Sequence, residues 1–480
     1  MAHEARYANY IGGRRAPPAS GLYLIDINPA DAADVIGEFP NSSADDAARA
    51  VEAAQSAFRA WAGLPPGARS DFLRRAAAIL EQRATEVARD LVREQGKPPR
   101  YAKAEVLAAS AILRHSADLG MLATGQVLPQ SDGSALAFTQ RLPVGPCAVV
   151  SSWLDPIAGP LRQAAPALAL GNTVVLNPSE WTPQAAWNIL QCFEEAGIPA
   201  GVFNVVFGEP TMAGRSLGTH ADTAAVAFQG SPRTAAAMLQ WCTAPGRRLH
   251  LETHGWSALL VAAGGDVERA ARDAVHGAFA CAGQRWDRVA LALVHASRYP
   301  EFLERVKTAV RTLAVGMGDD GRAEVGPLIG REARDRVIAW IAKARRSGAE
   351  LVAGGEPLGD ERLAKGCFMA PAVLAARDLG HLHLEPDLLG PALVVASFDD
   401  ADEGLAALNG LEGCRAASLY PRDVDGALAL ADEMRLQSVA INGPARSPHC
   451  EPSFSYSFDA EAVAAYTRVR TISFAAPAVS

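Results

Sequence analysis

Cysteine is scarce: the seven residues Cys147, Cys192, Cys242, Cys281, Cys367, Cys414 and Cys450 are odd in number, widely scattered and never spaced as CxxC. That pattern excludes a disulfide framework or zinc ribbon and predicts reduced thiols in a cytoplasmic protein. No apolar run approaches the roughly 18 residues needed to span a bilayer. The opening MAHEARYANYIGG lacks a basic stretch followed by an apolar one, so no membrane targeting is expected. Charge of one sign is also missing. Lys and Arg total 45 against 53 Asp and Glu, a net charge of −8 with no long block of either sign, which does not make a nucleic-acid footprint.

What is present is a long chain with ample material for burial. At about 100–200 residues per domain, its 480 residues imply two to four domains. Hydrophobic residues make up 49% and there are 42 Gly and 31 Pro, a composition suited to a turn-rich α/β protein. Residues 44–62 and 69–95 carry apolar side chains at helical spacing and read as two amphipathic helices. From about 146 the texture changes. The β-branched runs CAVV (147–150), TVVL (173–176), FNVVF (203–207) and AAVAF (224–228) alternate with helical stretches at 183–196, 211–218 and 232–242. Such alternation implies parallel βαβ units and a doubly wound sheet. It resumes with ALLVA (258–262), a helix over 266–280, VALALV (289–294) and a helix over 300–313, which predicts a second α/β domain. Segments 127–144 and 463–474 read as strands leaving the main bodies, and exposed strands of this kind commonly pair with another subunit.

Two glycine-bearing segments invite a phosphate-binding reading. GMGDDG at 316–321 matches GxGxxG, but it follows a helix rather than a strand, so it reads as a loop. VAFQGSPRTAAAML at 225–239 is better placed. A strand ends at Gly230, Ser231 stands as an N-cap and Pro232 suits the first helical position, exposing a helix N-terminus that favours phosphate. An ordinary βα turn uses the same residues, so both readings stand.

Along nearly its whole length the sequence resembles the aldehyde dehydrogenase superfamily. The resemblance is carried by residues 53–98, by APALALGNTVVLNPSEWTP (165–183), by AGIPAGVFNVVFG (196–208), and by VGPLIG (325–330), AGQ (282–284), LGPALVVASFDDADEGL (389–405) and AYTRVRT (465–471). It implies a doubly wound Rossmann-like cofactor domain (1–121 and 142–253), an α/β catalytic domain (254–443) and a small β oligomerisation extension (122–141 and 457–480). It also implies oxidation of an aldehyde with NAD or NADP through a cysteine thiohemiacetal. That chemistry needs a thiolate, donors for an oxyanion and a carboxylate base.

The resemblance then fails where the chemistry sits. GQRW at 283–286 aligns with the family's GQ-x-Cys, so Trp286 occupies the nucleophile position, and the nearest thiol, Cys281, reads as a small buried hydrophobe. SWLDP at 152–156 stands for Pro-Trp-Asn-Phe-Pro, retaining Trp153 and Pro156 but placing Leu154 at the oxyanion asparagine. LETHGWS at 251–257 keeps the glutamate as Glu252, either a base or a structural ion-pair partner, while Thr253 and His254 add bulk beside the nicotinamide path. Among implied cofactor residues, Trp153, Glu180, Gly230 and Ser231 match, Asp387 stands for a glutamate, Asn177 for a lysine and Leu389 for a phenylalanine. Gln163 replaces a lysine near the active site, and the Gly-rich segment before the last strand is shortened to residues 451–467.

The expectation is therefore an aldehyde dehydrogenase-like protein that is catalytically degenerate, serving as a scaffold, subunit partner or ligand sensor. NAD or NADP binding is weakened or lost, and the chain assembles with itself or with a related subunit. The alternative is an NAD(P)-dependent oxidoreductase acting on an aldehyde by a changed mechanism using Glu252, or a non-redox reaction assisted by His254 and Asp287. A third reading is a nucleotide-binding protein using only the Ser231 helix terminus. His381, His383, His449 and Cys450 hint at metal ligation but read as surface-loop residues, and no metal is expected.

Overall fold

The computed structural model describes residues 5–128, 135–318, 321–359, 362–376, 384–445 and 456–475. The β-branched runs form a seven-stranded sheet in the order Arg248–Thr253, Ala225–Gly230, Pro146–Val150, Thr173–Asn177, Phe203–Val205, Asn9–Ile11, Arg14–Ala16. The first five strands are parallel and the last two antiparallel. Pro146–Val150, Thr173–Asn177 and Ala225–Gly230 are buried at every position, as a sheet covered by helices on both faces requires. Chain order reverses between Pro146–Val150 and Ala225–Gly230, which opens a crevice at the carboxyl ends of these strands.

A second seven-stranded sheet runs Glu350–Ala353, Ala372–Ala376, Ala392–Phe398, Val289–His295, Trp256–Val261, Cys414–Tyr420, Ser438–Ile441. Only His254 and Gly255 separate the last strand of the first sheet from the Trp256–Val261 strand of the second. The tightness of this link needs glycine, since a Cβ on Gly255 would lie 2.4 Å from the carbonyl oxygen of Gly413. The carboxyl edge of one sheet therefore meets the amino edge of the other. A third, antiparallel sheet joins Thr467–Ala475, Ala135–Pro143 and Val127–Leu128, so the two outlying segments pair with each other. Among the described residues, no helix is long and apolar enough to cross a membrane.

Three details differ from the periodicity reading. The stretch read as one helix over 69–95 is two, Pro66–Gln82 and Ala84–Gln95, because the chain turns at Arg83. The strand expected over 463–474 begins only at Thr467, since residues before it complete the helix Tyr456–Tyr466. The 24-residue helix Pro99–Leu122, which lies against Pro66–Gln82 and Ala158–Ala169, carries no strand alternation and was not singled out in the sequence.

Two buried polar groups brace this framework. Asn172 accepts from the amides of Val144 (2.8 Å) and Gly145 (3.1 Å) and donates to the carbonyls of Ala167 and Tyr466, both at 3.0 Å. It thus ties the outlying strands to the first sheet, and Asn172→Ala should cost about 2–4 kcal/mol in urea unfolding because the Val144 and Gly145 amides and the Tyr466 carbonyl lose this partner. Glu94 accepts from the amides of Gln184 and Ala185 at the start of helix Pro183–Glu195. Asp26 lies against it, and burial raises Glu94 well above the carboxylate range and Asp26 to about 7. The folded pair holds a proton that the unfolded chain releases. Its contribution to stability is full below the ordinary carboxylate range and is lost as pH rises through about 7. Urea midpoints should fall between about pH 5 and about pH 8, and Asp26→Asn should flatten that slope; an unchanged slope in the variant would refute the pairing.

Candidate functional site

The implied site residues come together where the two sheets meet. Trp153 and Leu154 follow the Pro146–Val150 strand, Glu180 follows Thr173–Asn177, Ser231 follows Ala225–Gly230, and Glu252 lies near the end of Arg248–Thr253. From the other side, Trp286 precedes Val289–His295 and Asp387 precedes Ala392–Phe398.

Trp286 is held by a strained turn. Cys281, Ala282 and Gly283 are all left-handed, with φ of 54°, 56° and 67°, a conformation costly for the two non-glycine residues. A Cβ on Gly283 would lie 2.1 Å from the carbonyl oxygen of Gly390, so only glycine fits. Gln284 clamps the turn from outside, accepting from the Ile329 amide at 2.8 Å and donating to the Pro327 carbonyl at 3.3 Å. Arg288 secures its far end through Nη1 to the Ala392 carbonyl at 2.9 Å, and burial lowers this guanidinium to about 10. The indole of Trp286 is buried, and its Nε1 has no hydrogen-bond partner among the described residues.

Beside it lies a cavity of about 300 Å³ lined by Lys97, Tyr101, Asp155, Arg162, Cys281 and Trp286, among others. Burial raises the Cys281 thiol to about 11 although Lys97 and Arg285 act in the opposite direction. At neutral pH it is protonated and a poor nucleophile.

The position that the resemblance implies for an oxyanion donor offers none from its side chain, because Leu154 is fully buried hydrocarbon. Its amide donates to Ser152 Oγ at 3.2 Å, and its carbonyl accepts from Gln95 Nε2 at 2.7 Å and Lys97 Nζ at 3.1 Å. Gln95 also holds the carbonyl of Trp153, at 2.8 Å. Lys97 is paired with Glu105 and with Asp155 at 3.1 Å. Burial alone would lower its pKa, but the two carboxylates outweigh that and raise it. Glu105 in turn accepts from the Ile157 amide at 2.9 Å, just ahead of helix Ala158–Ala169.

Glu252 is retained but occupied. Arg162 Nη2 donates to it at 2.6 Å, Gln229 Nε2 lies at 3.4 Å and His250 Nε2 at 3.2 Å. The carboxylate is thus engaged by a buried guanidinium of this chain. Asp287, also buried, is chelated by Arg285 through two 2.8 Å contacts. Burial would raise its pKa, but Arg285 holds it below the usual carboxylate range. Gln163 accepts from the Tyr466 hydroxyl at 3.1 Å, so the position of the replaced lysine now braces helix Tyr456–Tyr466.

The residues implied for a dinucleotide divide into two groups. Toward the adenosine end, Ser231 caps helix Pro232–Trp241 by accepting from the Thr234 amide at 3.1 Å. Glu180 is half-buried, with its pKa raised by burial and by nearby Glu209. Asn177 is turned away, donating to the carbonyls of Val206 (2.9 Å) and Gly208 (3.0 Å), and supplies no cation. These residues fit a ribose and a diphosphate. Toward the nicotinamide end, His254 and Trp286 stack edge to face with ring centroids 5.5 Å apart. Burial and the nearby Arg336 and Arg415 lower His254 to about 4, so it is neutral. Asp387 and Leu389 are half-buried on the opposite wall. These two buried rings meet where the resemblance places the nicotinamide.

His381, His383, His449 and Cys450 lie outside the described residues, as do Asp319 and Asp320 of the GMGDDG segment. Sequence reading missed Lys97, Glu105, Arg162, Gln229 and Arg288, whose only signal is a polar residue in an otherwise apolar or family-like stretch. Lys97→Met should destabilise the fold by about 3–5 kcal/mol in urea unfolding by leaving Glu105 buried and uncompensated. Adding Glu105→Gln should recover part of that loss. Additive losses in the double variant would show that the two side chains do not act as a pair.

The aldehyde dehydrogenase family model matches residues 19–455. An alpha-ketoglutaric semialdehyde dehydrogenase of Bacillus subtilis is 35% identical over 450 residues, covering 93% of this chain and 92% of the relative. An alpha-ketoglutarate semialdehyde dehydrogenase of Haloferax volcanii is 32% identical over 438 residues, covering 90% of each chain. Among solved structures, PnpE in complex with nicotinamide adenine dinucleotide superposes with a TM-score of 0.93 at 29% identity, covering 99% of both chains. With its two facing sheets, its strained turn ahead of position 286 and these matches along nearly its whole length, the chain belongs to the aldehyde dehydrogenase family.

Proposed function

We propose that this chain is a degenerate aldehyde dehydrogenase, a ligand-binding or partner subunit that does not carry out thiohemiacetal chemistry. The observation that carries this reading is Trp286, a buried indole held at the nucleophile position by a turn that leaves it little freedom. Three further groups argue the same way: Leu154 offers no side-chain amide, Glu252 is bound by Arg162, and the Cys281 thiol is pushed up to about 11. Residues that act as one catalytic unit fail together when one is removed.

The relatives' names favour a second reading, an oxidoreductase acting on an aldehyde by a changed mechanism. The presence of Glu252 at the cleft supports it. The substrate these names denote carries a carboxylate. Here Lys97, Arg162 and Arg285, the cations lining the cleft, are each paired with an acid of this chain, which argues against a ligand bound through a carboxylate. The three-stranded sheet ends in the strand Thr467–Ala475, whose Val469 and Phe474 are exposed, and this supports assembly with a second copy or a related subunit.

Purified protein mixed with NAD or NADP and either a neutral aldehyde or alpha-ketoglutaric semialdehyde should show no aldehyde-dependent cofactor reduction by absorbance. Steady turnover would establish the oxidoreductase reading instead. Trp286→Cys should cost about 3–5 kcal/mol of stability through the cavity it leaves and should stay inactive, since a missing oxyanion donor alone costs about 10²–10³ in rate. Trp286→Cys with Leu154→Asn should remain folded with little turnover, because Arg162 still occupies Glu252. Robust turnover by the double variant would show that the damage is confined to those two positions.

A further inference from the structure

Helix Ala84–Gln95 has two working faces. Val87 and Leu91 are buried in the core of the first sheet's layer. Thr85, Ala88, Arg89 and Val92, at i, i+3, i+4 and i+7, instead line a cavity of about 570 Å³, an ordinary size for a small-molecule site. Pro99 and Lys103 of helix Pro99–Leu122 extend this wall. The facing wall is Met317 and Gly318, from the GMGDDG segment. Met317 is anchored on the small cluster of Ala30, Leu363 and Phe368. A Cβ on Gly318 would lie 1.9 Å from Val92 Cγ1, so glycine lets the chain run this close to the helix.

The charge of this cavity is one-sided. Three of its described lining residues are cations, Arg89, Arg93 and Lys103, and none is an acid. Arg93 is already engaged, binding Asp34 through contacts of 2.9 and 2.6 Å. Asn28 is engaged as well, donating to Asp34 and accepting from the Ala30 amide, both at 2.9 Å. Arg89 and Lys103 are exposed, and their side chains have no ion pair or hydrogen bond among the described residues. The cavity beside Trp286 shares no lining residue with this one and is its electrostatic opposite, since Lys97, Arg162 and Arg285 there each hold an acid of the chain. Solvated cations alone would mark nothing, because water satisfies them. Here they stand over an apolar wall in which Val92 and Met317 are only half-buried. A hydrocarbon chain laid on that wall gains burial, and an anion at its end gains charge-assisted hydrogen bonds.

We propose that this cavity binds an anionic amphiphile, a hydrocarbon chain ending in a carboxylate or a phosphate, with the chain against Val92 and Met317 and the anion at Arg89 and Lys103. The site stands apart from the reading of Trp286 and holds whether or not the protein turns over an aldehyde.

Titration calorimetry on the full chain, below micelle-forming concentrations, with decanoate, decyl phosphate, acetate and decylamine tests it. At least one of the two decyl anions should bind about tenfold or more tightly than acetate, which lacks the chain, and than decylamine, which reverses the charge. The tighter of the two identifies the head group. Arg89→Glu combined with Lys103→Glu changes two exposed positions and leaves the core intact. It should weaken that anion at least about tenfold and bring decylamine to equal or tighter binding, with thermal melting showing the variant folded. Decylamine or acetate binding the original chain as tightly as the decyl anions would overturn the proposal. So would no binding of either anion, or binding unchanged in the folded double variant, which would place the anion elsewhere. Aldehyde-dependent cofactor reduction bears on the degenerate reading alone and leaves this result untouched.

Discussion

A charge removed from water must meet an opposite charge, and the central cleft is organised around that constraint. Lys97 is more than nine-tenths buried and survives there only because Glu105 and Asp155 flank it. Glu105 is acceptable in turn because it also receives the Ile157 amide ahead of helix Ala158–Ala169. That helix carries Arg162, which holds Glu252, and Gln163, which holds Tyr466. Each group thus has a structural partner that positions the next element. The polar side chains facing the cavity are consumed by holding the two sheets together, which leaves few of them free to act on a substrate.

The turn at Cys281–Gly283 shows how a fold keeps a feature whose chemical occupant has changed. Two non-glycine residues in the left-handed region cost about 1–2 kcal/mol each, and the conformation persists because Gln284, Arg288 and the close approach of Gly390 over-determine it. Such a turn delivers the residue at position 286 to the mouth of the cavity. In this chain that residue is an indole, which packs against His254 and closes the space into which a reacting carbon would come. The turn and the residue it delivers are thus fixed by separate sets of contacts.

Relatives and site therefore point in different directions, and the physical reason is the separation between what holds the fold and what performs the reaction. Identity of 35% to a named dehydrogenase extends over 450 residues, and in the sheets and helices burial and backbone hydrogen bonding limit substitution. Leu154, Asn177, His254 and Trp286 occupy positions whose family residues serve chemistry or cofactor and whose replacements have found local partners or packing. Asn177 bonds two backbone carbonyls and Leu154 is sealed in hydrocarbon. Each of these side chains is accommodated by the fold around it.

Much of this was readable in one dimension. β-Branched runs and helical spacing placed the strands at Pro146–Val150, Thr173–Asn177 and Ala225–Gly230 and the helix Ala44–Ala62, because burial on both faces of a sheet or on one face of a helix writes its own period into the chain. Trp286, Leu154 and Asn177 could be located by their neighbours in the family motifs, since an absent functional group is visible in a letter. The split at Arg83 and the continuation of helix to Tyr466 were not visible, because a helix boundary depends on packing as much as on composition. Nor could adjacency along the chain show that Glu252 is held by Arg162, 90 residues away, or that His254 faces both Asp387 and Trp286. Those pairings arise only when two sheets meet edge to edge, and distance in space, unlike residue type, is a property that no single position carries.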